Sequence, residues 1–381
     1  MKQPNHSYYF DYASCTPIDE SIYETYCKLL KTYYVNPESM YSIGLETHKL
    51  VETSREKIAK LLGVLPSEVF FTSGASEANS FAIKGFALKN KHRGNHIITS
   101  KMEHSSVLNA LKQLEEEFGF QVTYLPVNKK GNVTLDMIKQ AIQKDTIMVS
   151  LMSVNNEVGS IQEIEAIGEH LKKNTRIVFM SDGVQILGKH AFSLKNIDLF
   201  TFTTHKIYGV KGCGVLIKKE NIQLLPLING GQQEQGLRGG TLNAPAIIVA
   251  AKTIRMALDG QVEHTTKVNE LWKLLWEGLQ EIDDIVLNSS IGGTPYILNF
   301  SCLSINSEIM MNALNQRNIF VSSQSACSSR TRTPSHTILA MGYDEQRALG
   351  GIRVSLSHLN TKAEIQFLLK SIKEIIDEYR T

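Results

Sequence analysis

The chain has 381 residues, room for about two domains, and its 42% hydrophobic and 20% charged side chains are ordinary for a globular protein. Its 40 basic and 38 acidic residues leave a net charge of +2, which gives no electrostatic reason to expect nucleic acid or a membrane surface as the principal partner. The start MKQPNHSYYFDYAS has no basic stretch followed by an apolar one, and no apolar run approaches a membrane span, so a cytoplasmic protein is expected.

In chain order, short β-branched and apolar runs predict strands at 69–72 (VFFT), 96–100 (HIITS), 121–125 (QVTYL), 147–154 (IMVSLMSV), 176–180 (RIVFM), 197–202 (IDLFTF) and 213–217 (CGVLI). Amphipathic stretches of helical period separate many of them, such as 108–118 and 164–174. Strands alternating with helices argue for an α/β protein with a mainly parallel sheet covered on both faces. After residue 260 the texture changes. A long helical stretch (262–282) leads to shorter strand candidates at 295–301, 319–323 and 351–356 and to a last amphipathic helix from about 361. These patterns predict a large domain over 14–260 and a smaller α+β domain from 1–13 and 261–381.

The five cysteines, Cys15, Cys27, Cys213, Cys302 and Cys327, are scattered and odd in number, and they form no CxxC pair. Neither a disulfide framework nor a metal cluster is indicated, and a reducing compartment is expected. Cys327 stands apart, because its surroundings (SSQSAC, then SSRTRTPS) have the composition of a loop, whereas a free cysteine is usually buried.

In open α/β sheets, functional groups gather beyond the carboxyl ends of the strands. After VFFT comes SGASEAN (73–79), a Gly/Ser turn into a helix that suits a phosphate, although such turns are also common caps. His104 follows HIITS, and Asn155 and Asn156 follow IMVSLMSV. Asp182 and Gln185 follow RIVFM, where an acid reads equally as a buried functional carboxylate or a helix cap. TTHKIYGVKGCG (203–214) sets Thr203, His205 and Lys206 between two buried strands, where a desolvated lysine becomes a nucleophilic amine.

Together these residues match the needs of pyridoxal phosphate. Ser76, Thr203 and His205 form a phosphate cup, and Asp182 keeps the pyridine nitrogen protonated. Gln185 reaches the phenolic oxygen, His104 stacks on the ring, and Lys206 holds the aldehyde. The 24 positions between Asp182 and Lys206, one strand–helix–strand step, are typical of the aspartate-aminotransferase-like fold (fold type I).

The motifs YFDYASCTP (9–17), NPESMYSIG (36–44), FTSGASEAN (71–79), EHSSV (103–107), VNNEVGSIQ (154–162), THKIYGVKG (204–212), GGQQEQGLRGGT (230–241), SSQSAC (322–327) and IRVSL (352–356) resemble, in order, those of cysteine desulfurases of the NifS/IscS type, in the class V aminotransferase group. The resemblance implies pyridoxal phosphate on Lys206, a stacking and acid–base His104, and ring contacts from Asp182 and Gln185. It implies phosphate contacts from Ala75, Ser76, Thr203 and His205, with Thr241 supplied by the other subunit of a homodimer. Asn155 matches a residue beside cofactor and substrate, and Arg353 the receiver of the substrate carboxylate. Cys327 matches the catalytic cysteine that takes sulfur from L-cysteine as a persulfide, leaving alanine, and passes it to an acceptor protein. Acceptors compatible with the family are an iron–sulfur scaffold or an enzyme that thiolates tRNA or a cofactor. A selenocysteine lyase, another class V transferase or a non-catalytic sulfur-relay subunit are the alternatives. The chain departs from the family at Tyr12 for asparagine, Tyr41 for histidine and Gln324 for glycine.

Overall fold

The computed structural model describes residues 7–323 and 333–380. A short strand β1 (Tyr8–Tyr9) comes first, followed by seven that share one sheet. These are β2 (Val69–Thr72), β3 (His96–Ser100), β4 (Gln121–Leu125), β5 (Thr146–Ser150), β6 (Val178–Asp182), β7 (Leu199–Thr203) and β8 (Gly214–Lys218). Their spatial order is β2-β8-β7-β6-β5-β3-β4. Only β8 runs against its neighbours, and the other pairings are parallel.

Strand side chains alternate between faces, and here both faces are covered. Val69, Phe71, Phe179, Phe200, Phe202 and Val215 enter one buried cluster. Phe70, Met180, Leu199 and Leu216 enter another on the opposite face. That is why these strands read as unbroken apolar runs. The covering helices bury single stripes. In Ile164–Asn174 the buried residues Ile164, Ile167, Gly168 and Leu171 fall at i, i+3, i+4 and i+7.

Three further strands, β9 (Ile285–Leu287), β10 (Ile297–Cys302) and β12 (Gly351–Ser355), make an antiparallel sheet in the order β12-β10-β9, and β11 (Ile319–Phe320) pairs in parallel with β1. The helices Gln261–Gln280 and Lys362–Arg380 belong to this part of the chain. Its core is separate and is built from residues such as Leu271, Leu275, Phe300, Ile352, Val354 and Ile372, which Phe10 and Ala13 join.

Two strands differ from their apolar runs in ways that matter. β5 stops at Ser150, and the rest of IMVSLMSV runs into a turn closed by Asn155 N donating to Ser160 O at 2.9 Å. β6 starts at Val178 and keeps Asp182 as its last strand residue, so the carboxylate is fixed by the sheet itself.

Candidate active site

β3, β5, β6 and β7 lie side by side, so the segments leaving their carboxyl ends converge. They surround a cleft of about 440 Å³ whose wall includes His104, Asn156, Asp182, Gln185 and Lys206. Ala75 and Ser76 from the start of the helix after β2, Thr203 and His205 at the end of β7, and Arg353 from β12 complete it.

Lys206 Nζ donates to two main-chain oxygens, Ala13 O at 2.7 Å and Ser14 O at 2.6 Å. Burial and the nearby Arg353 guanidinium push its amine down to about 8, against the pull of Asp11 and Asp182. About a tenth of the amine is therefore unprotonated at pH 7, far more than for an ordinary lysine. Asp182 is buried, with Oδ2 accepting from Asn79 Nδ2 at 2.8 Å and Oδ1 from Val184 N at 3.0 Å.

His104 caps the helix Ser105–Phe118. Its Nδ1 accepts from Ser106 N at 3.1 Å and lies 2.8 Å from Ser106 Oγ. Acceptance at Nδ1 leaves the proton of the neutral ring on Nε2. Burial, with Lys206 adding to it, lowers the pKa of His104, so the neutral ring is favoured. Thr203 Oγ1 lies 2.9 Å from His205 Nδ1, and burial lowers that imidazole to about 4.

Arg353 is 2% exposed and multiply held. Nη2 donates to Asp11 Oδ1 at 2.8 Å and Ser14 Oγ at 2.6 Å, and Nη1 to Asn156 O at 2.9 Å. Its Nε–H is buried with no partner among the described residues.

The other sequence-derived candidates lie elsewhere. Asn155 is fully buried and its amide serves its own turn: Oδ1 accepts from Glu157 N and Val158 N, both at 2.8 Å, and Nδ2 donates to Met102 O at 3.0 Å. Its neighbour Asn156 forms the cleft wall instead. Thr241 is exposed and lines a neighbouring depression that shares Ser73 with the cleft. Cys327 and Gln324 lie outside the described residues. Tyr41 caps the helix Ser42–Leu62 through its backbone alone, and Tyr12 packs edge-on against Tyr9, with centroids 4.8 Å apart.

Four residues that the motif reading did not single out support the site. Asn79 bridges Asp182 and Ser106, donating to Ser106 Oγ at 2.9 Å, and Ser106 in turn meets His104. Both stand within quoted motifs, SGASEAN and EHSSV, but nothing in their spacing says that they meet. Asp11 pairs with Arg353, and Lys189 Nζ donates to Gln185 Oε1 at 2.7 Å.

The profile of the family described as Aminotransferase class-V matches residues 8–368. The chain belongs to the class-V aminotransferases. Among class-V relatives, it is 39% identical to the cysteine desulfurase IscS of Clostridium botulinum, over 99% of this chain and 96% of that protein. It superposes on a solved structure called a NifS-like protein with a TM-score of 0.91 and 36% identity, covering 98% of this chain and all of the other. A structure described as SspA in complex with cysteine aligns with a TM-score of 0.81 and 33% identity, over 93% of this chain and 100% of that one.

Class-V enzymes use pyridoxal phosphate, and this cleft suits it. The donor set contains an amine, a buried carboxylate, an amide and an imidazole. At Gly74, ahead of the helix that starts at Ala75, a Cβ would meet nothing within 4 Å, and no side chain caps that helix. First-turn N–H groups lack intrahelical partners, so open space there leaves them free for a phosphate.

Proposed function

We propose that this chain is a pyridoxal phosphate-dependent cysteine desulfurase: L-cysteine becomes L-alanine, and its sulfur passes to Cys327 as a persulfide. The observation that carries this reading is the Lys206 amine, shifted down to about 8 and set in one cleft with Asp182, His104 and the Arg353 guanidinium. Whole-length similarity to IscS proteins supports the choice of cysteine as substrate.

When bound, pyridoxal phosphate supplies an electron sink that stabilises negative charge at the substrate α-carbon. Lys206 would hold its aldehyde, Asp182 its ring nitrogen and Gln185 its phenolic oxygen, with Ala75, Ser76, Thr203 and His205 around the phosphate. Arg353 orients the substrate by its carboxylate. Once released, Lys206 Nζ is the base for the α-proton, which a partly neutral amine performs well near pH 7. His104 holds a proton at Nε2, fixed there by Ser106 at Nδ1. The Cys327 thiolate attacks the substrate sulfur; the S–S bond forms as the Cβ–S bond breaks, and the electron pair stays on carbon. Protonation at Cβ and return of a proton to the α-carbon by Lys206 then complete alanine.

Two copies are proposed to pair. The exposed Thr241 and the exposed apolar side chains Tyr34, Met40, Tyr41 and Leu45 between and on the first two helices are surfaces a second copy would cover. A sulfur-acceptor protein completes the cycle. No helix among the described residues is long and apolar enough to cross a membrane.

The test is sulfide and alanine release from L-cysteine with a reductant, for the unmodified protein and for Cys327→Ser. Equal amounts of both products from the former and neither from the latter are expected. A Cys327→Ser enzyme that still turns over would make the thiol incidental and favour a lyase.

A further inference from the structure

Beside the cleft lies a second cavity of about 400 Å³, which shares Ala13 and Lys206 with it and has Lys189 in its wall. A lysine is rarely buried without a reason. Lys189 is 9% exposed, its Nζ lies 5.6 Å from the Tyr296 ring centroid, and its one hydrogen-bond acceptor among the described residues is Gln185 Oε1. The charged and titratable groups around it are Lys206, Arg353, His190 and Tyr296. No carboxylate pairs with it among the described residues.

The other half of the Gln185 amide identifies what this contact does. Ala13 O accepts from Gln185 Nε2 at 3.0 Å, and a carbonyl can only accept, so the amide orientation is determined from that side. Lys189 then holds Oε1 from behind. The second Nε2 hydrogen is left for the cleft, where Gln185 forms part of the wall. Without Lys189, Oε1 has no donor behind it among the described residues, and the amide hangs from Ala13 O alone and can pivot its second N–H away from the cleft.

We propose that Lys189 is a positioning residue: by holding Gln185 Oε1 it keeps the Nε2 donor edge turned toward the phenolic oxygen of the cofactor. This rests on the pyridoxal phosphate reading above and adds a residue to it. Burial, with the Lys206 and Arg353 charges, pushes the Lys189 amine down to about 7. Neutralisation of that kind removes the cost of a third buried cation beside the other two and keeps an N–H to donate.

The test is a double-mutant cycle on two readouts that do not depend on turnover: pyridoxal phosphate affinity, and the pH midpoint of the visible absorbance of the bound cofactor. An N–H donor to the phenolic oxygen favours its anionic form, so losing the donor moves the midpoint up. Lys189→Met, close in shape to lysine, is expected to raise the midpoint by about one pH unit and weaken binding about tenfold. Gln185→Leu is expected to do the same, and the double variant no more than Gln185→Leu alone, because coupled residues are not additive. Should Lys189→Met fold poorly in a thermal melt, Lys189→Gln retains a donor and is expected to lie between it and the unmodified protein. A midpoint unmoved in Lys189→Met, or shifts that add in full, would overturn the proposal, the latter by showing a through-space charge effect. An unmodified protein that binds no pyridoxal phosphate at all would instead overturn the cofactor reading on which it stands.

Discussion

The Asn79 amide donates to Asp182 Oδ2 at 2.8 Å, and both residues are buried in the wall of the cleft. Asp182 has no cation bonded to it among the described residues, so a neutral amide and the Val184 N–H are what hold this carboxylate in place. Asn79→Ala is expected to weaken pyridoxal phosphate binding about tenfold, as loss of one partner to a buried acceptor costs about 1–3 kcal/mol. Equilibrium dialysis of the cofactor measures it, and a thermal melt of the cofactor-free protein separates binding from folding.

Arg353→Lys is expected to raise KM for L-cysteine about 10- to 100-fold with a smaller fall in kcat, because a point-charge ammonium cannot hold Asp11, Ser14 and Asn156 and still offer an edge to a carboxylate. Steady-state kinetics with L-cysteine provide the comparison. Equal falls in kcat and kcat/KM would place the role of Arg353 in the chemistry rather than in holding substrate.

Glu103, beside His104 in sequence, is 1% exposed, and burial pushes its carboxyl up to about 8, against hydrogen bonds from Ser100 Oγ and Met152 N. The folded state therefore keeps a proton that the unfolded state releases above the ordinary carboxylate range. Between about pH 4.5 and 8 the native state binds more protons, so this group lowers stability as pH rises. Glu103→Gln is neutral throughout. The variant is expected to match the unmodified protein near pH 5 and to melt at a higher temperature near pH 8, by calorimetry on both.

Arg55 and Glu234 form a buried bidentate pair, Nη2–Oε1 at 2.7 Å and Nη1–Oε2 at 3.0 Å, and Glu234 Oε2 also accepts from Phe71 N at 2.7 Å. Glu234 and Gln235 both have positive φ, 51° and 58°, so the GGQQEQGLRGGT loop adopts a backbone that only its anchor justifies. Arg55→Met strands that carboxylate and is expected to cost about 3–5 kcal/mol in urea unfolding. Arg55→Met with Glu234→Gln is expected to recover much of it.

The sheet was legible because strands buried on both faces advertise themselves as apolar runs, as VFFT and HIITS do. β9 was not: Ile285–Leu287 is three residues long and half-buried. The helix Ala244–Asp259 is apolar on most of its faces, so it shows no periodic stripe. Among site residues, Lys206 and Asp182 stand at strand ends, where position alone suggests function. Lys189 sits in a turn (ILGKH) that composition marks as a solvated loop, and only tertiary packing buries it. Likewise Asn155 and Asn156 are indistinguishable in sequence; which one meets the cleft is decided by the turn Asn155 closes.

One strap of chain joins the two cores to the reactive amine. β1 pairs with β11, Phe10 and Ala13 pack in the second core, Ala13 N donates to Ser355 Oγ at 2.9 Å, and the next two carbonyls receive Lys206 Nζ. The lysine is thus tethered by residues that the seven-stranded sheet does not need. Deleting residues 1–14 is expected to leave a sheet that still folds and an amine with nothing to rest on, seen as cofactor that binds weakly and washes out on gel filtration. For protein engineering, the amino terminus of this chain is a working part of its reaction centre, and trimming it would act as an active-site mutation.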